Sequence, residues 1–254
     1  MIKQIFRSEL DVSSLSLIAD DIATQHEIRD YKKKIVNKPW GYEYLMFENK
    51  HVAVWILSLK KGDLTSMHCH PKKKSSLIVL SGQVTTSFLD KQFDLNVLDA
   101  VMIDKGVFHS SKANSLNGAL IMEIENPPDK FDLVRLKDKY GREHKGYENF
   151  IHTSTDLHKY QYIDFHEGLT KNMFLHKNLN NRNIKIQRNK KLTDLIHSID
   201  QSEETVICFL DNTLRHEDGS VICEIGDIIT KADLKRFNLS KSEISENFDT
   251  LIIH

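Results

Sequence analysis

The stretch Gly62-Asp63-Leu64-Thr65-Ser66-Met67-His68-Cys69-His70, followed later by Gly106-Val107-Phe108-His109, decides how this chain is read. On a β-strand successive side chains point to opposite faces, so His68 and His70 project together while Cys69 faces the other way. His109, brought in on a neighbouring antiparallel strand, completes a facial set of imidazoles. Three neutral nitrogens with open positions beside them suit a divalent ion such as Zn, Fe, Mn or Ni. The chain carries 13 histidines in 254 residues, so a chance His-x-His pair is not rare, and the surrounding spacing has to carry the reading.

Outward from this stretch, short apolar or alternating runs follow one another at 42–47, 52–59, 76–80, 84–89, 93–98, 100–103 and 119–124. Turn residues such as Glu48-Asn49, Lys61-Gly62-Asp63, Ser81-Gly82 and Lys105-Gly106 separate them. Many short strands with regular turns predict an antiparallel sandwich or barrel. Asn126-Pro127-Pro128-Asp129 closes the block, because two prolines cannot continue a central strand. Before it, residues 11–35 read as helical, with Leu15, Ile18, Ile22 and His26 at helical spacing and a solvated Lys32-Lys33-Lys34 run behind. After it, 131 to about 170 reads as a polar connector with short helices, and His144, His152, His158, His166 and His176 crowd this region without ligand spacing.

A second strand-rich block spans about 183–254, with runs at 184–187, 205–210, 221–225, 228–230 and 250–253. Leu210-Asp211-Asn212, returning at Gly226-Asp227-Ile228-Ile229, echoes Leu80-Ser81-Gly82 returning at Leu98-Asp99-Ala100-Val101. It carries no His-x-His, and Lys235-Arg236-Phe237 stands near where a third histidine would fall.

Gly62, His68-x-His70, Gly82 and Gly106-x-x-His109 together resemble the two signature motifs of the cupin superfamily. Lys38-Pro39-Trp40-Gly41-Tyr42-Glu43 and the run Phe131 to Arg142 are similar to the two ends of the cupin domain of type II phosphomannose isomerases and related sugar-nucleotide-pathway cupins. The resemblance covers about residues 38–143. It implies an all-β fold, a double-stranded β-helix or jelly-roll-like barrel, here with an N-terminal helix and a second, degenerate cupin-like β domain. The expected boundaries are 1–37 for the helical lead-in, 38–147 for the metal-binding cupin domain and 148–254 for the connector and degenerate domain. Where the family pattern places a glutamate ligand this chain has Lys74 and Ser75, while Leu98, Asp104 and Ala113 replace a usual glycine, proline and asparagine.

The resemblance implies a metal held by His68, His70 and His109, and a sugar phosphate or nucleotide sugar as ligand, with isomerase or epimerase chemistry in surface polysaccharide synthesis. Such chemistry needs a base and a Lewis acid. Glu123 and Glu125, two apart on one strand, are the candidate catalytic carboxylates, as base or as an extra ligand, if their face is the barrel interior, and ordinary surface charges if it is not. Lys73, Arg135 and Arg142 are candidates for phosphate, although Asp132 or Asp138 could pair with either arginine; Trp40 could stack on a sugar ring, and Ser75 could be a weak ligand or filler. Two other readings are an Fe(II) dioxygenase on three histidines and a non-catalytic carbohydrate-binding or regulatory cupin.

Composition narrows the classes. With 35 basic against 36 acidic side chains there is no cationic excess to neutralise phosphates, so no nucleic-acid partner is expected. Three scattered cysteines make neither a disulfide framework nor a cysteine-rich zinc site. Apolar runs fall far short of the roughly 20 residues a spanning helix needs, so no membrane partner is expected. A cytoplasmic protein, assembling as a homodimer, is the expectation.

Overall fold

The computed structural model describes residues 1–18, 30–143, 147, 152–167, 169, 174–199, 204–237, 242–244 and 247–254. His26, His144 and residues 200–202 lie outside them. In chain order the first part of the chain forms β1 (Ile2–Ile5), α1 (Glu9–Ile18), β2 (Ile35–Lys38), β3 (Gly41–Glu48), β4 (Ala53–Leu59), β5 (Met67–Cys69), β6 (Lys74–Ser81), β7 (Val84–Phe88), β8 (Gln92–Leu95), β9 (Ala100–Ile103), β10 (His109–Ala113), β11 (Ala119–Asn126), β12 (Val134–Lys137) and β13 (Thr153–Ser154). They build two facing sheets, one of order β1-β9-β6-β11-β4-β3-β2-β13 and one of order β12-β5-β10-β7-β8.

The remainder forms β14 (Phe174–Leu179), β15 (Arg182–Asn189), α2 (Leu192–Ile199), β16 (Val206–Phe209), β17 (Leu214–His216), β18 (Val221–Cys223), β19 (Ile228–Thr230), α3 (Lys231–Arg236), β20 (Ser242–Glu243) and β21 (Phe248–Ile253). Its sheets run β14-β15-β21-β16-β19 and β18-β17-β20. The first order matches β3-β4-β11-β6-β9 strand for strand, and the second matches β8-β7-β10. In chain order α2 stands in the place of β5, the histidine strand, and α3 lies between β19 and β20 where the first unit has the turn to His109.

The echoed turns have the same hydrogen bonds. Leu98 N–H donates to Val79 O and Gly226 N–H to Phe209 O, both at 2.8 Å. Asp99 Oδ2 accepts from Asn96 N at 2.9 Å, and Asp227 Oδ2 accepts from Glu224 N at 3.0 Å. Both turns need the left-handed region, with φ +86° at Gly226 and +66° at Leu98. Leu98 keeps a conformation in which only glycine is free of a Cβ penalty.

Alternation along β11 sorts the layers. Leu120, Met122 and Ile124 face outward into one apolar layer with Ile56, Ile78, Ile184, Ile186, Cys208, Leu251 and Ile253. Ala119 and Ile121 face the first barrel's interior together with Trp55, Leu57, Leu77 and Val79. The outer face of the large sheet is therefore covered by the chain's own second sheet. The second barrel's interior is largely apolar, filled by Leu192, Leu195, Ile199, Phe209, Leu234, Phe248 and Ile252, with buried Gln187, Asn189 and Thr250 hydrogen-bonded among themselves.

Two expectations need correction. The lead-in is not wholly helical: β1 pairs in parallel with β9, and Ile35 opens β2, which pairs with β3. Among the described residues the connector contributes β12 and β13 and a short 3-10 turn at Leu157–Lys159. No helix among the described residues is long and apolar enough to cross a membrane.

Candidate metal centre

β5 and β10 are paired, with His68 opposite His109. His68 on β5 and His70 just past its end both line the cavity, and Cys69 is buried with Phe108 and Val134, where Leu15 and Ile18 of α1 pack. The ring centroids lie 4.5 Å (His68–His109), 5.0 Å (His68–His70) and 5.5 Å (His70–His109) apart. One nitrogen from each ring lies within 4.8 Å of those of the other two, and this is the one such group of three found among the described residues.

Which nitrogens converge follows from the backbone. Nδ1 of His68 lies 2.8 Å from Ser66 O, Nδ1 of His70 2.5 Å from Asp132 O, and Nδ1 of His109 3.0 Å from Val107 O. A carbonyl oxygen only accepts, so each Nδ1 carries a proton and donates. The three Nε2 atoms are left for the interior, the arrangement that fixes ring orientation in metal sites. Burial, reinforced by the neighbouring imidazoles, holds the pKa of His68 well below the ordinary histidine value and pushes that of His109 down to about 4. Nε2 of His70 is buried without a hydrogen-bond partner. Two neutral rings and an unpartnered Nε2 aimed at one point fit a divalent cation.

Glu123 and Glu125 settle the question of their face: both are buried and line the same cavity as His68 and His70. Glu123 Oε1 lies 3.7 Å from His70 Nε2, and its Oε2 lies 3.9 Å from Lys130 Nζ. Burial opposes the Glu123 charge, yet His70, Lys130 and Lys73 outweigh it and keep its pKa well below the carboxylate range. Glu125 Oε1 pairs with Lys73 at 2.9 Å and Lys130 at 3.0 Å, while its Oε2 has no partner. Ser75 also faces inward, two residues before Leu77 on β6, and its buried Oγ is unpartnered.

The run Lys72-Lys73-Lys74 around the candidate Lys73 is divided among separate partners. Asp132 accepts from the Lys72 and Lys73 amides at 2.8 and 3.0 Å, Lys73 is 1% exposed, and Lys74 pairs with Glu224 of the second barrel. Arg142 is engaged by Asp138, at 2.7 Å from Nε and 2.8 Å from Nη2, so the ion pair is formed. Arg135 and Trp40 are buried in the cavity wall, and Trp40 belongs to the core cluster as well. Sequence reasoning passed over Glu43 and Lys130. Glu43 is buried 3.4 Å from both Lys38 and Lys130 and takes the Tyr147 hydroxyl; Lys130 lies over the Trp55 ring at 3.9 Å. Alternation of Glu43 with the interior Leu45 was the available clue. The cavity encloses about 440 Å³, part of it open to solvent.

Two sheets in this order, with the histidines on paired neighbouring strands, decide the fold. The N-terminal barrel is a double-stranded β-helix. No family model matches the chain. Mannose-1-phosphate guanylyltransferases from Klebsiella pneumoniae and Escherichia coli are 25% and 24% identical to it over 127 residues, which is 49% of this chain. The match spans 27% of the length of each of these relatives. Among solved structures, an RmlC-like cupin from Shewanella frigidimarina is 15% identical, covering 42% of this chain and 95% of its own, with a TM-score of 0.36. The capsular polysaccharide assembling protein CapF from Staphylococcus aureus is 17% identical, covering 41% of this chain and 34% of its own, with a TM-score of 0.38. The departures from the cupin motifs now have positions: Ser75 inside the barrel near Glu125, and Leu98 in a left-handed turn.

Proposed function

We propose that the cupin barrel binds a divalent metal on His68, His70 and His109 and acts on a sugar phosphate or nucleotide sugar as an isomerase or epimerase. The observation that carries this reading is the convergence of three Nε2 atoms with buried carboxylates in one cavity that also holds lysine and arginine side chains. The sugar class comes from the names of the guanylyltransferase relatives, and surface polysaccharide synthesis is the setting that the resemblance to sugar-nucleotide-pathway cupins implies. A bound metal would supply Lewis acidity toward a sugar carbonyl.

The chain's own groups divide the remaining work. Glu125 takes and returns the proton at Oε2, while Lys73 and Lys130 hold its other oxygen and keep Oε2 turned inward. Trp40, Leu57 and Leu133 wall the cavity and exclude water. Arg135 meets the phosphate, with Arg142, held by Asp138, at the same wall. Ser75 Oγ takes a sugar hydroxyl. The three-histidine oxygenase reading presumes a centre without a carboxylate, and Glu123 at 3.7 Å from His70 argues against it. A homodimer would have to form on a surface other than the outer face of the large sheet, which the second unit covers.

The test is proton exchange. Metal-loaded protein is incubated in D2O with mannose 6-phosphate and with GDP-mannose and followed by proton NMR. Solvent deuterium should enter beside the anomeric carbon or at an epimerised carbon. Glu125→Gln should slow this by about 100-fold or more. Oxygen uptake without any exchange would sink the isomerase reading.

A further inference from the structure

We infer that Glu123, delivered from β11, is the anionic ligand of this metal centre; the inference rests on the metal reading above. Three neutral imidazoles bring no charge to a buried divalent ion, so a carboxylate within ligand reach is what such a centre calls for. Among the described residues the interior offers three carboxylates, Glu43, Glu123 and Glu125, and the hydroxyl of Ser75 at the position of the motif ligand, and their commitments separate them. Glu43 is taken by Lys38, Lys130 and the Tyr147 hydroxyl. One oxygen of Glu125 is held by two lysines. Ser75 offers a hydroxyl, a poor ligand beside a carboxylate. Glu123 alone turns an oxygen toward the histidine nitrogens, with Oε1 3.7 Å from His70 Nε2.

Its backbone is fixed. Glu123 sits mid-strand, opposite Trp55 on β4 and Leu77 on β6, with sheet on both sides. Two ligand atoms each about 2.1 Å from one ion lie roughly 3 to 3.4 Å apart, so the observed 3.7 Å needs only a few tenths of an ångström of closure. Lys130 keeps Glu43 and Glu125 when Glu123 turns to the metal, so no ammonium is stranded. The centre is thereby three imidazoles and one carboxylate, with the carboxylate coming from the strand between β6 and β4 and not from the β5–β6 motif.

The experiment uses the full chain and Co(II), whose ligand-field absorption reports its donor set without any turnover. Wild type, Glu123→Gln and Glu125→Gln are titrated with Co(II) against a chromophoric chelator, after thermal melts confirm folding. Glu123→Gln is expected to weaken Co(II) binding at least about tenfold and to shift the visible band, while Glu125→Gln leaves the band in place. If Glu123→Gln does not fold, Glu123→Asp, which keeps the charge but withdraws the oxygen, should shift the band. A band and affinity unchanged in the Glu123 variant, with wild type binding Co(II), overturn the ligand assignment and leave the metal reading standing. An equal shift in Glu125→Gln also overturns it, since a general loss of interior charge would then be the cause. A wild type that takes up no Co(II) overturns both.

Discussion

At the centre of the first barrel Glu123 pairs across to Leu77, and at the matching register of the second sheet Ile252 pairs with Ile207. The strand orders around them are the same, and so are the turns at Leu98 and Gly226. What differs is the filling. The first interior holds His68, His70, Lys73, Glu123, Glu125 and Lys130, whereas the second holds Leu195, Phe209, Leu234, Phe248 and Ile252. The change tracks two replacements: α2 stands in for the histidine strand β5, and α3 for the turn that leads to His109. Apolar residues on these helices plug the space that a metal and substrate would need. The outward faces did not diverge in kind, because both are sealed into one shared apolar layer. The strand order is thus set by the faces between the sheets, while chemistry is set by a few interior positions, a separation of fold from function visible inside one chain.

The comparison breaks most completely if the shared layer is removed. A chain ending at residue 143 would expose Ile56, Ile78, Leu80, Met122 and Ile124 as one surface. Contiguous apolar patches beyond a few hundred Å² rarely stay monomeric. The expected outcome is aggregation or self-association on size-exclusion chromatography with light scattering, and a well-behaved, metal-binding monomer would show that the first barrel needs no cover.

Next comes an exchange of interiors. Ile252→Glu places a carboxylate among apolar side chains, and should cost about 3 kcal/mol or more in denaturant unfolding. The reverse change, Glu123→Ile, should cost much less, because Lys130 retains Glu43 and Glu125. Equal losses from the two would mean that the barrels do not differ in the way their fillings indicate.

Metal addition distinguishes the barrels more gently. Zn(II) at about 100 times its dissociation constant should stabilise the chain by about 2.7 kcal/mol, read as a rise in melting temperature. His70→Ala should abolish the rise. Ile252→Val, which trims the second interior at about 0.5–1.5 kcal/mol, should lower the starting stability and leave the increment intact. A rise that survives His70→Ala would place the ion elsewhere.

How much of this was legible in the sequence depended on whether a residue's pattern was local. The period-two spacing of His68 and His70 placed both on one face without any tertiary information, and the structure bears this out. The echo at Leu80 and Leu210 marked equivalent turns because a turn is a local object. The face of Glu123 and Glu125 was not legible. β11 is buried on both sides, so its alternation separates one interior from another and not interior from solvent. Lys73 lines the cavity, but inside a run of three lysines nothing local distinguishes it as the one that Glu125 draws into the barrel. β1 was missed because its partner, β9, is about a hundred residues away and parallel, which leaves no local trace.

The smallest expected effect lies at the seam between the two barrels. Lys74, the third lysine of that run, pairs with Glu224 on the turn before β19, with roughly a third of the lysine side chain and half of the glutamate exposed. Burial opposes the Lys74 charge, but Glu224 raises its pKa, and Lys74 in turn lowers that of Glu224. Long exposed side chains give up freedom to hold such a pair, and salt screens it, so it contributes about 1 kcal/mol at most. Nearby, Ser76 Oγ donates to Gly226 O at 2.9 Å from a buried position, and the apolar layer continues on both sides. Lys74→Ala should therefore lower stability by less than about 1 kcal/mol, and the loss should vanish in high salt. A loss of several kcal/mol in Lys74→Ala would mean that the barrels are joined chiefly by charge, against the apolar layer that otherwise explains why their outward faces match while their interiors do not.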